Sequence, residues 1–165
     1  MPVSDDRVVR SLVLQHGLLN AHISGDLCWW PTNGEVSIAH LPSAATVLLG
    51  LKGPNGEVER VAVGDVTGAI TILSLPELHH VDVWNPHRTA VTSMAVEIST
   101  DENLRLITAD ADGNVHMIGA GLPRKGILMR RVGKRITAIR IQKKVIILMS
   151  GWLRLTFERL GKFNI

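Results

Sequence analysis

The stretch Thr67-Gly-Ala-Ile-Thr-Ile-Leu-Ser-Leu-Pro76 begins with a turn and continues as an alternating segment that ends at a proline. Gly68 has no side chain and can adopt the positive φ angles of a tight hairpin turn. Ile70 and Ile72 follow a period of two, which places them on one face of a strand. Proline ends this strand because it has no N–H for the sheet ladder. The preceding apolar run, Val61–Gly64, is predicted to be the partner strand of a hairpin.

The same pattern occurs in three further stretches, with two additional residues in the third unit and Gly in place of Pro in the fourth: Asn33–Pro42, Asp112–Pro123 and Ser150–Gly161. The turn glycines are 34, 45 and 38 residues apart: Gly34, Gly68, Gly113 and Gly151. A spacing near 40 with several short strands per unit is typical of β-propeller blades. We therefore predict an all-β fold, a β-propeller-like array of about four antiparallel sheets. A β-sandwich with similar hairpins is the alternative.

The composition supports a folded, intracellular protein. Apolar residues make up 45% of the chain, which excludes a disordered protein. The longest apolar run, Val145–Met149, is far shorter than the roughly 20 residues that span a bilayer, so no membrane association is expected. Cys28 is the single cysteine and forms no internal disulfide, and the N-terminal residues lack a secretory or transit pattern. We expect a cytoplasmic or nuclear location.

Charge is distributed unevenly along the chain. Residues 1–123 hold six Lys/Arg against 14 Asp/Glu, whereas residues 124–165 hold 12 Lys/Arg against one Glu. Eight of these cationic residues form a candidate partner-binding patch: Arg124, Lys125, Arg130, Arg131, Lys134, Arg135, Lys143 and Lys144. Such asymmetry favours an anionic partner or head-to-tail self-association. Because no aromatic residue occurs between Trp84 and Trp152 to stack on bases, an acidic protein is favoured over nucleic acid.

Polar residues surround the first two strands of the third unit in a specific order. The segments are His87-Arg-Thr-Ala-Val91-Thr-Ser93 and Leu104-Arg-Leu-Ile-Thr108-Ala-Asp-Ala-Asp112-Gly113. They resemble a WD-repeat blade, although no unit carries the Trp-Asp pair that names the family. The resemblance implies a hydrogen-bonded set of His87, Thr108 and Asp112. Such a set satisfies buried polar groups, so its role is structural rather than catalytic.

Motifs for enzyme chemistry are absent from the sequence. It contains no nucleophile elbow, phosphate loop or redox cysteine pair. Its seven histidines are scattered without Cys or carboxylate partners at ligand spacing, so no metal site is predicted. The stretch Asp110–Asn114 lacks the Gly and Glu that a calcium loop needs at its sixth and twelfth positions. We therefore expect no catalytic residues and no cofactor.

Two adjacent tryptophans raise the question of an exposed binding residue. Trp29 and Trp30 lie on opposite faces of a predicted strand. At least one is therefore expected in the core. The other is left open between the core and an interface anchor.

The length of the chain bears on its assembly. Seven blades of about 40 residues would need some 280 residues, so residues 1–165 are predicted to form a single propeller-like domain of about four blades. Four blades either just close on themselves or leave the propeller incomplete. A strand at Val8–Leu14 is expected to help close the ring by joining a distant blade. Otherwise, exposed edges require another subunit or a second copy to cover them.

The predicted function is a non-catalytic protein–protein interaction scaffold, a subunit of a larger assembly. One alternative is an RNA- or ribonucleoprotein-associated subunit that uses the basic C-terminal region. A second alternative is a hydrolase whose site is assembled from residues distant in sequence.

Overall fold

The structure, a computed structural model, describes residues 6–99, 103–142 and 145–158. These residues form fifteen strands and no helix. The strands make four antiparallel sheets, called blades 1 to 4 in chain order. Blade 1 has four strands: β1 (Val8–Leu14), β2 (Gly17–His22), β3 (Asp26–Pro31) and β4 (Ser37–His40). Since no helix is described, no helix of the described residues crosses a membrane.

The other three blades repeat this arrangement, and the fourth has three described strands. Blade 2 comprises β5 (Ala45–Lys52), β6 (Val58–Asp65), β7 (Ile70–Ser74) and β8 (His80–Trp84). Blade 3 comprises β9 (Val91–Ser99), β10 (Leu104–Asp110), β11 (Asn114–Gly119) and β12 (Ile127–Arg131). Blade 4 comprises β13 (Ala138–Gln142), β14 (Val145–Ser150) and β15 (Leu153–Glu158). In every blade, strands that are consecutive in the chain pair with each other.

The core lies in three clusters, one between each pair of successive blades. Leu19 and Leu27 of blade 1 pack with Val61 of blade 2, and Ile72 of blade 2 lies in a second cluster with Leu106 of blade 3. A third cluster joins blade 3 to blade 4. Four sheets stacked in succession confirm the propeller-like array, and they differ from the two layers of a sandwich.

The first strands of the blades pack in order, β1 against β5, β5 against β9 and β9 against β13. Within the described residues, no comparable packing joins β13 to β1. The four blades therefore form an arc that is open between blade 4 and blade 1.

Strands of the central blades are buried on both faces. In β6, Val61 and Val63 belong to the cluster shared with blade 1, whereas Ala62 belongs to the cluster shared with blade 3. In β7, Leu73 faces blade 1 and Ile72 faces blade 3. Such strands have continuous apolar runs instead of alternation, because neither face meets water.

The predicted first unit is out of register by one strand. Gly68, Gly113 and Gly151 each lie between the second and third strands of a blade, whereas Gly34 lies between the third and fourth strands of blade 1. The equivalent of the other three is Gly25, which has a φ of 100° and donates its N–H to the His22 carbonyl at 3.0 Å. Both glycines make turns, so the turn pattern alone did not distinguish them.

The prediction for Val8–Leu14 was wrong. This strand does not join a distant blade. It pairs antiparallel with β2 of its own sheet, with Leu12 opposite Leu19. Only Gln15 and His16 separate the two strands, and such a short connection favours an antiparallel hairpin.

Candidate functional site

A buried hydrogen-bonded set ties the start of blade 3 to its second strand. His87 precedes β9, and its Nδ1 lies 3.1 Å from Asp110 Oδ2, while its Nε2 lies 2.9 Å from Thr108 Oγ1. A carboxylate only accepts, so Nδ1 donates to Asp110 and Nε2 accepts from the Thr108 hydroxyl. All three residues are buried. The set therefore satisfies polar groups that would otherwise be unpaired in the core.

The prediction of Asp112 in this set was wrong. Asp112 is exposed, and its backbone N–H donates to Asp110 Oδ1 at 3.1 Å. The N–H of Asn114 donates to the same oxygen at 2.8 Å. An Asp side chain at the start of a turn accepts from backbone groups that follow it. The residue that carries the carboxylate is therefore the one before the turn, not the one within it.

Burial lowers the pKa of His87 to about 4, and the nearby His116 ring acts in the same direction, with Asp110 opposing both. The imidazole is therefore neutral near neutral pH. Thr108, His87 and Asp110 have the order of a nucleophilic triad. However, the His87 and Asp110 side chains are 0% and 2% exposed, so no substrate reaches them. The set is a structural tie.

Blade 2 has the same turn without the histidine. Asp65 Oδ1 accepts from the Thr67 N–H at 2.8 Å, from its hydroxyl at 2.7 Å and from the Ala69 N–H at 3.1 Å. Leu41 precedes β5 as His87 precedes β9, and Val63 takes the strand position of Thr108. Both replacements are buried. An apolar pair thus fills the place that the polar pair occupies in blade 3.

A threonine near the start of the first strand recurs in three blades. The hydroxyls of Thr46, Thr92 and Thr137 each donate to a carbonyl of the second strand, at 3.1, 3.3 and 3.2 Å. Thr46 also donates to the Val91 carbonyl of blade 3 at 2.6 Å. These threonines are 46 and 45 residues apart, a more regular spacing than that of the glycines. The sequence analysis did not use this repeat, although each of the three threonines lies between two apolar or small residues.

The structure does not bring the predicted basic patch together. Arg131 pairs with Asn114 at the end of blade 3 that holds the Asp110 turn. Four exposed cations lie at this end: Arg130, Arg131, Lys134 and Arg135. Arg124 and Lys125 precede β12 and lie at its opposite end. Lys143 and Lys144 lie outside the described residues.

Arg124 has a structural environment of its own. Its guanidinium binds the Asp82 carboxylate and lies over the Trp84 ring, 5.2 Å from the centroid. Asn85 also donates its N–H to the Arg124 carbonyl at 2.9 Å. These contacts join blade 3 to blade 2, so Arg124 holds the two blades together.

A cleft of about 640 Å³ opens between blades 1 and 2, at the opposite strand ends from the Asp65 turn. Leu14, Trp29 and Pro76 give it an apolar lining, and Glu57 and Glu59 add exposed carboxylates. The Trp29 ring is buried, and its Nε1–H has no hydrogen-bond partner among the described residues. Clefts of this size with an apolar lining and a few polar groups are typical binding sites. Loops distant in sequence form this site, which the sequence analysis did not predict.

Metal-binding side chains are not clustered in the described ranges. No group of three or more His, Cys, Asp or Glu within residues 6–99, 103–142 and 145–158 has the geometry to hold an ion. The Asp110 turn instead uses its oxygens to accept hydrogen bonds from protein N–H groups.

Sequence comparisons identify no relatives. No model of a protein family matches the chain, and no curated protein matches it in sequence. The structure, in contrast, is similar to solved propeller-type structures. It matches the computationally designed Ika4 protein with a TM-score of 0.70 at 14% identity, over 96% of this chain and 94% of Ika4. The chain has a β-propeller-like fold.

Two larger structures are also similar. The computationally designed Ika8 protein matches with a TM-score of 0.69 at 13% identity, over 98% of this chain. The WD40 repeats of RRP9 match with a TM-score of 0.62 at 16% identity, over 95% of this chain. The chain covers 48% of the Ika8 chain and 55% of the RRP9 chain, about half of each. At these identities the likeness shows the fold alone.

Proposed function

We propose that this chain is a non-catalytic interaction scaffold that binds a segment of a partner protein in the cleft between blades 1 and 2. The observation that carries this proposal is the cleft itself, with its apolar lining and the exposed carboxylates of Glu57 and Glu59 at its rim. A concave apolar site with a few polar groups is suited to an extended segment that carries an apolar side chain.

The charges of the cleft define the partner further. Glu57 and Glu59 are both exposed at its rim, and His16 lies 3.6 Å from Glu57. Lys52 is the cation among the residues that line it. An apolar side chain flanked by Lys or Arg is complementary to this site, because the carboxylates attract the cation while the floor accepts the apolar group.

The test is affinity purification of the chain from its native host after nuclease treatment. We expect a protein partner to remain bound in stoichiometric amount. Glu57→Lys is expected to reduce the retained partner by roughly tenfold, since one unfavourable interface charge corresponds to about 1.4 kcal/mol. Asp112→Lys is the matched control, because Asp112 is exposed at the opposite ends of the strands. Equal retention by both variants, or loss of the partner on nuclease treatment, would contradict the proposal.

The second candidate function is association with RNA or a ribonucleoprotein. It is favoured by the four exposed cations at the Asp110 end of blade 3, of which Arg131, Lys134 and Arg135 are adjacent in sequence or nearly so. Phosphate contacts predict an affinity that falls steeply with salt. Charge reversal at Arg131 and Lys134 should reduce that salt dependence, measured by filter binding to single-stranded RNA.

The hydrolase alternative has no support from the described residues. The Thr108–His87–Asp110 set is buried, and it does not line the cleft. A nucleophile must reach its substrate, and this hydroxyl does not.

A further inference from the structure

The two ends of the arc carry sheet faces against which no described blade packs. In blade 1 this face has two rows of cross-strand partners. One row is apolar, with Val13, Leu18 and Trp30, and the next holds Cys28 and Ile38 together with the polar Ser11 and Asn20. We call it the blade 1 end face. Val13, Trp30 and Ile38 are 80%, 51% and 52% exposed. Isolated exposed apolar residues are ordinary, but a contiguous set on one sheet face is typical of an interaction surface.

The opposite end of the arc carries a second such face. In blade 4, Ile146 and Leu148 point toward blade 3, so their neighbours in β14 lie on the other side of the sheet. We call this side the blade 4 end face, and the register places the following residues on it: Ala138, Arg140, Gln142, Val145, Ile147, Met149, Arg154 and Thr156. Ile147 is 6% exposed, whereas both arginines are exposed.

Both end faces have the composition of covered faces. The runs Leu27-Cys-Trp-Trp30 and Val145-Ile-Ile-Leu-Met149 are continuously apolar. In blade 2, Val61-Ala-Val63 is continuous in the same way and is buried on both sides. A strand with one face in water would instead alternate apolar and polar residues. One strand of each end sheet, β3 and β14, therefore has the pattern of strands that lie between two other sheets.

The charges at the two end faces are complementary. Asp26 is on the same face as Cys28 and Trp30, and the pKa of the Cys28 thiol is raised by burial and by the nearby Asp26 and Asp6 carboxylates. The blade 1 end face is thus bordered by carboxylates. The blade 4 end face exposes the guanidinium groups of Arg140 and Arg154. Opposite charges across a contact favour the correct pairing and disfavour a face meeting itself.

We propose that the blade 1 end face of one copy packs against the blade 4 end face of a second copy, so that two chains close a single ring. Each pair of copies then makes this contact twice. The second contact forms within an already associated pair, which strengthens the closed ring. The arc superimposes on about half of Ika8, so a second copy supplies the remaining length of such an array. This inference goes beyond the scaffold function and does not depend on a partner in the cleft.

Analytical ultracentrifugation of the purified chain over a range of micromolar concentrations tests the proposal. We expect a species of twice the chain mass of 18.0 kDa. Trp30→Asp, and separately the double variant Arg140→Glu/Arg154→Glu, should each weaken association at least tenfold. Val66→Asp is the control, because Val66 is 49% exposed in the β6–β7 turn and lies on neither end face. Circular dichroism verifies that each variant keeps its strands, since the mutated side chains are exposed.

A mixing experiment tests the head-to-tail arrangement. When the two disruptive variants are mixed, one contact of a pair joins an intact blade 1 end face to an intact blade 4 end face, and the other joins two altered faces. A pair held by one contact, weaker than the wild-type dimer, should therefore form at high concentration. In parallel, labelling of Cys28 by a maleimide should slow as the wild-type concentration rises, because the second copy covers the thiol. A wild-type chain that remains at monomer mass would overturn the proposal and leave a further segment or another protein to cover these faces. Wild-type association in both variants would also overturn it.

Discussion

Blades 2 and 3 each have the same kind of turn after the second strand, but they differ in the side chains that pack against it. Asp65 and Asp110 each end the second strand of their blade, and each accepts the N–H groups of residues two and four positions later. Both carboxylates are buried. The common element is therefore the carboxylate that organises the turn, because it alone satisfies two backbone donors in each blade.

The two blades differ in the pair of buried side chains next to this carboxylate. Blade 3 places His87 and Thr108 against its carboxylate, whereas blade 2 has Leu41 and Val63 at the equivalent positions. Both solutions leave few buried polar groups unpaired, one by hydrogen bonding and the other by containing no polar side chain. The comparison shows that a polar tie and an apolar pair can fill the same place in a blade.

The largest effect is expected from removing the carboxylate. Asp110→Ala should lower the free energy of unfolding by about 3–5 kcal/mol, because it leaves two backbone N–H groups and the His87 Nδ1–H without an acceptor. Asp65→Ala should cost less, about 2–3 kcal/mol, since its contacts are confined to the turn. Urea unfolding measures both. Asp112→Ala is the control at roughly 0.5 kcal/mol or less, and a loss equal to that of Asp110→Ala would contradict this assignment.

The two blades should respond differently to acid. Burial lowers the pKa of His87 to about 4 in the folded state, against about 6.5 in an unfolded chain. Because the unfolded state binds the proton more tightly, stability is unaffected above about pH 6.5 and falls as the pH decreases toward 4. The total loss is about 3 kcal/mol. Blade 2 has no titrating group in the equivalent place.

The free energy of unfolding, measured by urea across this pH range, should decrease with falling pH in the wild type. It should decrease less in the His87→Leu/Thr108→Val double variant. The lowered pKa of His116 acts in the same direction and remains in both proteins. If the stability of both proteins decreased equally with falling pH, His87 would not be the group responsible for the acid sensitivity.

The same double variant transfers the apolar pair of blade 2 into blade 3. Thr108→Val alone leaves the His87 Nε2 buried without a donor, and His87→Leu alone leaves the Thr108 hydroxyl without its 2.9 Å partner, so each should cost about 1–3 kcal/mol. The double variant should cost less than the sum of the two, by about 1 kcal/mol, because no orphaned partner remains. Strict additivity in a double-mutant cycle would contradict the tie.

The sequence predicted the repeated hairpins of blades 2 to 4 because Gly68, Gly113 and Gly151 mark the same turn in each. It misplaced the first unit because Gly25 and Gly34 both have positive φ angles. Only the pairing of strands, a long-range property, shows which of the two turns is equivalent.

The candidate sites were less predictable for a similar reason. The resemblance to a WD-repeat blade assigned the tie to Asp112 because that residue lies in the turn, although an Asp three residues before the turn glycine recurs at Asp65 and Asp110. The basic residues are close in sequence, yet an intervening strand, β12, carries Arg124 and Arg131 to opposite ends of a sheet. The cleft between blades 1 and 2 is formed by loops from both blades, so no local pattern marks it.

The smallest effects are expected for replacement of the three repeated threonines. The order of these effects tests whether the Thr46 hydroxyl connects two blades. Thr46→Val should lower the free energy of unfolding by about 1–1.5 kcal/mol, because its hydroxyl lies 2.6 Å from the Val91 carbonyl and so connects blade 2 to blade 3. Thr137→Val should cost about 0.5 kcal/mol, since Thr137 is exposed and water replaces its bond within blade 4. The loss for Thr92→Val should be intermediate.

Valine keeps the shape of threonine, so these three substitutions isolate the hydroxyl from the packing around it. Thr46 belongs to the blade that lacks the histidine tie, and its bond to Val91 joins blade 2 to blade 3. If the three variants were equally stable, the Thr46 hydroxyl would add nothing to the contact between blades 2 and 3 beyond the apolar packing and the Arg124 contacts. If Thr46→Val is the most destabilised, blade 2 has a polar connection to its neighbour that lies in the strand and not behind the turn.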